Sequence, residues 1–98
     1  MPKRYILLQR ARADLKDITG YIAADNPEAA RKMKAAMMEA CVKLGNNPLM
    51  GQQREDLTTK PVRFWPVHRN YMIVYDANTD PVQIMRIYNT ARAIGSVL

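Results

Sequence analysis

Hydrophobic and polar positions change rhythm several times along this chain. Lys3 to Gln9 has the apolar centre Tyr5-Ile6-Leu7-Leu8 and reads as a short strand. From Ala11 the period becomes helical: Ala11, Leu15, Ile18 and Ile22 share one face with Tyr21 beside them, while Arg12, Asp14, Lys16 and Asp17 lie elsewhere. This helix is expected to end near Ala24, because Asp25-Asn26-Pro27 is a cap residue followed by proline, the arrangement that opens a new helix. The second helix is expected over Pro27 to Leu44. Ala30, Met33, Met37, Ala40, Cys41 and Leu44 form its stripe, and Glu28 and Glu39 each precede a lysine by one helical turn. Gly45 stands where a left-handed C-terminal cap is expected, and Asn46-Asn47-Pro48 prevents continuation. So short a linker folds the two helices into an antiparallel hairpin.

Pro48 to Pro61 has no usable period and reads as a loop, long enough to carry binding function. Three runs rich in β-branched and aromatic residues follow: Val62 to Val67, Tyr71 to Tyr75 and Val82 to Tyr88. They are joined by His68-Arg69-Asn70 and by Asp76 to Pro81, both suited to returning the chain antiparallel, so they predict a β-meander. Tyr71 to Tyr75 contains no charged side chain, which predicts a central strand covered on both faces. Ala91, Ile94 and Val97 allow a short terminal turn or helix despite Gly95. The order β-α-α-β-β-β predicts a two-layer α+β fold, with the helical hairpin on one face of an antiparallel sheet that includes the N-terminal strand. No helix remains for the other face, which is expected to be solvated or to receive a partner. Edge strands offer a further docking place.

A chain of 98 residues supports one domain, 1–98. Cys41 is alone, which excludes an internal disulfide and a cysteine-based zinc site and predicts a small buried residue on a helix. No signal or membrane-spanning run is visible, and a reducing cytoplasmic setting is expected. The net charge of +6 favours an acidic partner. After Lys60 every cationic side chain is an arginine: Arg63, Arg69, Arg86 and Arg92. Arginine offers a planar fork to carboxylate or phosphate.

Most catalytic patterns are absent. There is no phosphate loop, histidine pair, metal-ligand spacing or serine nucleophile context, and no cofactor is expected. His68 lies in a predicted turn, where it is either solvated or available for proton transfer. Arg63 and Arg86 interrupt apolar strands, so each guanidinium must reach water, a carboxylate or a ligand. Trp65, Tyr71, Tyr75 and Tyr88 suit a core or a stacking surface.

Asn47-Pro48-Leu49-Met50-Gly51-Gln52-Gln53-Arg54-Glu55-Asp56-Leu57, then Val62 to Val67, Tyr71 to Tyr75, Val82 to Ile87 and Ala91-Arg92 form a pattern in fixed order. Together with Ala11, Asp14, Leu15, Ile18, Tyr21 and Ile22 of the first helix, it resembles the ParE branch of the ParE/RelE toxin superfamily. The resemblance covers nearly the whole chain. It implies the toxin of a bacterial type II toxin-antitoxin (plasmid stabilisation) system, neutralised by a ParD-like antitoxin whose C-terminal part wraps around it. ParE-type members are described as gyrase inhibitors, and RelE-type members as ribosome-dependent mRNA endonucleases. Many relatives have His-Gly where this chain has Asn89-Thr90, and ribonuclease members tend to carry an acid/base group on a longer tail than the one ending at Leu98. His68 is then the one ordinary proton-transfer candidate.

The residues favour the non-catalytic branch and disfavour direct nucleic-acid binding, while DNA gyrase as target and a toxin-antitoxin hetero-oligomer are what the resemblance implies. The alternative is a RelE-like endonuclease. The residues expected to touch target or antitoxin are Arg54, Arg63, His68, Arg69, Arg86 and Arg92, with Arg54, Arg63, Arg86 and Arg92 on the open sheet face. Gly51 is expected to supply a tight or positive-φ turn that positions Arg54, and Leu57 to anchor the loop.

Overall fold

The computed structural model describes residues 4–92 and 97–98 and contains β1 (Tyr5–Leu7), α1 (Gln9–Asp25), α2 (Pro27–Asn46), β2 (Arg63–Val67), β3 (Tyr71–Asp76) and β4 (Val82–Asn89). The expected order is therefore present. The four strands form one sheet in the order β1-β4-β3-β2. The last three are the antiparallel meander, whereas β1 joins β4 in parallel, so the sheet is mixed rather than antiparallel throughout. Lys3 of the expected first strand and residues 93–96 of the expected terminal turn lie outside the described residues.

Asn26 stops α1 and starts α2 in one step. Its backbone N–H bonds to Ile22 O, its side chain accepts from the Ala29 N–H at 3.1 Å, and Pro27 occupies the first helical turn, where a missing donor costs nothing. The other end of α2 differs from expectation. Gly45 is inside the helix, no glycine among the described residues has positive φ, and Asn47 caps instead. Glycine is required at 45 because a Cβ there would lie 2.9 Å from the Arg4 carbonyl, where the chain leading into β1 crosses the helix.

The main core lies between hairpin and sheet. Ala11 and Leu15 of α1 and Met37, Ala40, Cys41 and Leu44 of α2 pack on Tyr5, Val67, Ile73, Tyr75, Val82, Ile84 and Ile87. Tyr21 departs from the expected apolar face and is 83% exposed.

The opposite sheet face is where the structure corrects the sequence most. Val62, Phe64, Val74, Tyr88 and Val97 form a second buried cluster, with Leu57, Met72, Met85 and Leu98 packed against it. The long loop and the end of the chain thus cover much of the face expected to be open. Both β3 and β4 are central, and β3 has Ile73 and Tyr75 on one side and Met72 and Val74 on the other. That two-sided cover accounts for its uninterrupted apolar run.

Candidate binding site

Two of the four arginines expected on an open face are committed internally. Arg86 stands opposite Val74, so its side chain leaves the sheet on the second face, but it is only 9% exposed. Its Nε donates to Asp14 Oδ2 at 2.7 Å, its Nη2 to Asp14 Oδ1 at 2.9 Å, and its Nη1 to the Val97 carbonyl. The planar fork meets the carboxylate with both oxygens, and this pairing raises the Arg86 pKa above its usual value against the opposing effect of burial. Asp14 also accepts the Ile87 N–H at 3.0 Å. β1 is only three residues long, so the β4 edge beyond Ile84 has no strand beside it, and an α1 carboxylate accepts the ladder bond instead. The partner of Arg86 is thus a residue that the helical pattern assigned to the polar side of α1.

Arg63 stands opposite Tyr75, which places it on the helical side of the sheet rather than the second face. Its Nη1 donates to Gly51 O at 2.6 Å. The Tyr75 hydroxyl holds the same loop: it accepts the Gly51 N–H at 2.7 Å and donates to Pro48 O at 2.7 Å. Burial raises the Tyr75 pKa, although the Gly51 N–H and Arg63 act in the opposite direction. Gly51 does not take the positive φ that was one of its two expected roles; it is glycine because a Cβ would lie 2.5 Å from Tyr75 Oη and 2.8 Å from Phe64 O. Gln52 then exchanges two backbone hydrogen bonds with Phe64, at 3.1 and 2.8 Å. Leu57 packs on the second cluster.

The remaining candidates gather toward one end of the second face. Arg54 lies on the loop, half-exposed, with its Nε and Nη2 on Asp56 at 2.9 and 2.8 Å. Its charge lies near enough to Tyr88 to oppose the upward push that burial gives that phenol. A depression of about 260 Å³ opens beside it, lined by Met50, Gln52, Phe64, Trp65, Pro66 and Met72. Met72 pairs with Tyr88 and Tyr71 with Asn89, so this depression adjoins the turns at the end of the sheet. There Thr90 donates its N–H to Asn70 O at 2.8 Å, which ties the β2–β3 turn to the segment after β4. That bond brings His68 and Arg69 close to Arg92, all three exposed. His68 takes φ 54°, the left-handed conformation that lets so short a turn reverse the chain.

A second groove of about 200 Å³ runs between Ala36, Ala40 and Lys43 of α2 and Trp65, Pro66 and Val67 of β2. Trp65 and Pro66 line both hollows, which makes one apolar path over the β2 edge. Among the described residues no cluster of histidine, cysteine or acidic side chains could hold a metal ion, and no helix is long and apolar enough to cross a membrane.

The family described as the ParE toxin of type II toxin-antitoxin system, parDE, matches residues 5–94. A comparison with curated proteins gives no match. Among solved structures, the chromosomal ParDE TA system from P. aeruginosa is similar, with a TM-score of 0.74 and 23% identity over 87% of this chain and 92% of that chain.

Proposed function

The chain belongs to the ParE toxin family of type II toxin-antitoxin systems, and on that premise we propose that it arrests growth by binding DNA gyrase and is neutralised by a ParD-like antitoxin. It acts in the cytoplasm, through contact rather than catalysis. The observation that supports this reading best is the end of the second sheet face, where Arg54, paired with Asp56, lines a depression with apolar Pro66 and Met72, and the Thr90–Asn70 bond joins the exposed turn of His68 and Arg69 to the segment that carries exposed Arg92. Cations around an apolar patch suit an acidic protein surface, the first for steering and register and the second for burial. Arg63 and Arg86 are supports, because their guanidinium groups are already engaged with Gly51 O and Asp14.

The antitoxin is placed along the path between α2 and β2. Strand addition at β2 is disfavoured, since the Phe64 backbone groups are taken by Gln52 and Pro66 has no N–H. Docking there is by side chains set against Trp65, Pro66 and the small residues Ala36 and Ala40.

Purified protein added to a gyrase supercoiling reaction tests the target. Inhibition is expected, lost in an Arg69→Glu/Arg92→Glu variant that retains the native circular dichroism spectrum. Cleavage of messenger in a ribosome-containing extract, with supercoiling intact, would replace this reading by the endonuclease one.

A further inference from the structure

The depression beside Arg54 straddles the β2 edge. Met50 and Trp65 come to it from the core beneath the helices and Phe64 and Met72 from the cluster on the second face, while Pro66 and Arg54 also line it. Its walls are set before any ligand arrives. Phe64 is 3% exposed and exchanges both backbone hydrogen bonds with Gln52, Pro66 stands opposite Met72 in the sheet, and the Arg54 carbonyl accepts the Leu57 and Thr58 N–H groups at 2.9 and 3.1 Å. A pre-formed apolar hollow with few polar groups is the usual form of a recognition site.

Size and chemistry narrow what it can hold. An apolar cavity of about 150 Å³ is enough for benzene, so about 260 Å³ admits one ring with its link to a backbone and leaves no room for two. Charge selects nothing here, because Asp56 takes the Arg54 Nε and Nη2 at 2.9 and 2.8 Å and no acidic residue lines the depression among the described residues. Both of those bonds lie in the guanidinium plane. They leave its faces, which are weakly hydrated and stack on aromatic rings. The thioethers of Met50 and Met72 gain from an aromatic neighbour what they do not gain from an aliphatic one, and Trp65 adds a further ring.

We propose that this depression receives a single uncharged aromatic side chain from the protein target. The proposal rests on the reading that this end of the second face meets the target, and it names what the target presents there: one phenylalanine or tryptophan standing clear of its surface. A leucine would fill the space, but neither the sulfur atoms nor the guanidinium face would distinguish it from any other hydrocarbon.

Methionine-methyl NMR spectra of the whole chain, titrated with N-acetyl-phenylalaninamide, test this. Saturable shifts are expected at Met50 and Met72 at roughly millimolar ligand, with the fully buried Met37 unmoved. N-acetyl-cyclohexylalaninamide is the comparison. Its saturated ring is bulkier, so a hollow that selects by apolar area alone binds it better, whereas the aromatic ring is expected to bind tighter here by about threefold or more. Arg54→Lys keeps the charge and loses the planar face; it is expected to weaken the aromatic ligand about two- to fivefold and to leave the saturated one unchanged. Equal or tighter binding of the saturated ring, or no saturable shift at either methionine, would overturn the proposal. The titration uses this chain alone, so the two readings fail separately. Inhibited supercoiling without ring binding keeps the target and removes the aromatic anchor, and ring binding without inhibition keeps the aromatic site and removes gyrase as the protein that fills it.

Discussion

Replacing Asp14 with alanine removes the counter-charge of Arg86 and the acceptor of the Ile87 N–H in one change. The two side chains are 11% and 12% exposed, so little water can replace what is lost. Breaking a buried ion pair by removing one partner costs about 3–5 kcal/mol, because the survivor keeps an uncompensated charge in a poorly hydrated place. Domains of this size are stable by about 5–15 kcal/mol, so the loss is a large share of the total. Urea unfolding followed by the fluorescence of Trp65, the single tryptophan, measures it. With a slope of about 1–3 kcal/mol per molar, the midpoint is expected to fall by more than 1 M. The companion variants sharpen the test. Arg86→Met alone leaves Asp14 and the Val97 carbonyl short of a donor, whereas Asp14→Leu with Arg86→Met removes both charges and is expected to recover the part of the loss due to the stranded charge, but not the part due to the Ile87 N–H and the Val97 carbonyl, which stay unpartnered. A drop below about 1 kcal/mol for Asp14→Ala, or a double variant no better than the worse single one, would show that the pair does not hold α1 to β4.

Tyr75→Phe removes the group that bonds both Pro48 O and the Gly51 N–H, and is expected to cost about 1–3 kcal/mol and to speed amide exchange around Gly51 before the rest of the fold. Gly51→Ala forces the same loop off Tyr75 and Phe64 and is expected to destabilise by a similar about 1–3 kcal/mol; unchanged thermal stability would refute the close approach. The Cys41 thiol is fully buried, and burial pushes its pKa up to about 11 from 9.0, so iodoacetamide is expected to label it only as the chain unfolds. Because the folded pKa is the higher one, its contribution to stability is complete below pH 9 and is lost as pH rises toward about 11. Tyr5, Tyr75 and Tyr88 are shifted upward too, chiefly by burial, so Cys41→Ala is expected to reduce this alkaline loss without abolishing it, as read from urea midpoints at pH 8 and 10.

The helices and the meander were legible because each rests on a local period. Asn26-Pro27, the Ala30 to Leu44 stripe and the Tyr71 to Tyr75 run all carry their signal within a few residues. What escaped is long-range. Asp14 and Arg86 are 72 positions apart, and nothing near either one names the other, although a charge inside an apolar strand did announce that some acid must answer it. Gly45 and Gly51 looked like turn residues because glycine's usual service is conformational; here each is required by the chain passing close by, which only the packed structure shows. The cover over the second face was unreadable for a related reason. A loop without period, such as Pro48 to Pro61, gives no sign that Leu57 folds back over the sheet. Arg54, His68, Arg69 and Arg92 were recognisable as polar groups in loops and turns, but their nearness depends on the bond from Thr90 to Asn70.

The closed rim of β2 matters most when this protein is alone. A toxin parted from its antitoxin must stay dispersed in a crowded cell, and a bare row of backbone donors and acceptors would instead recruit identical chains into growing stacks. Gln52 fills the Phe64 position on that rim and Pro66 withholds a donor two residues on. The short stretch around Gln52 therefore does more than line the depression beside Arg54: it leaves this edge of the sheet little with which to capture a further strand.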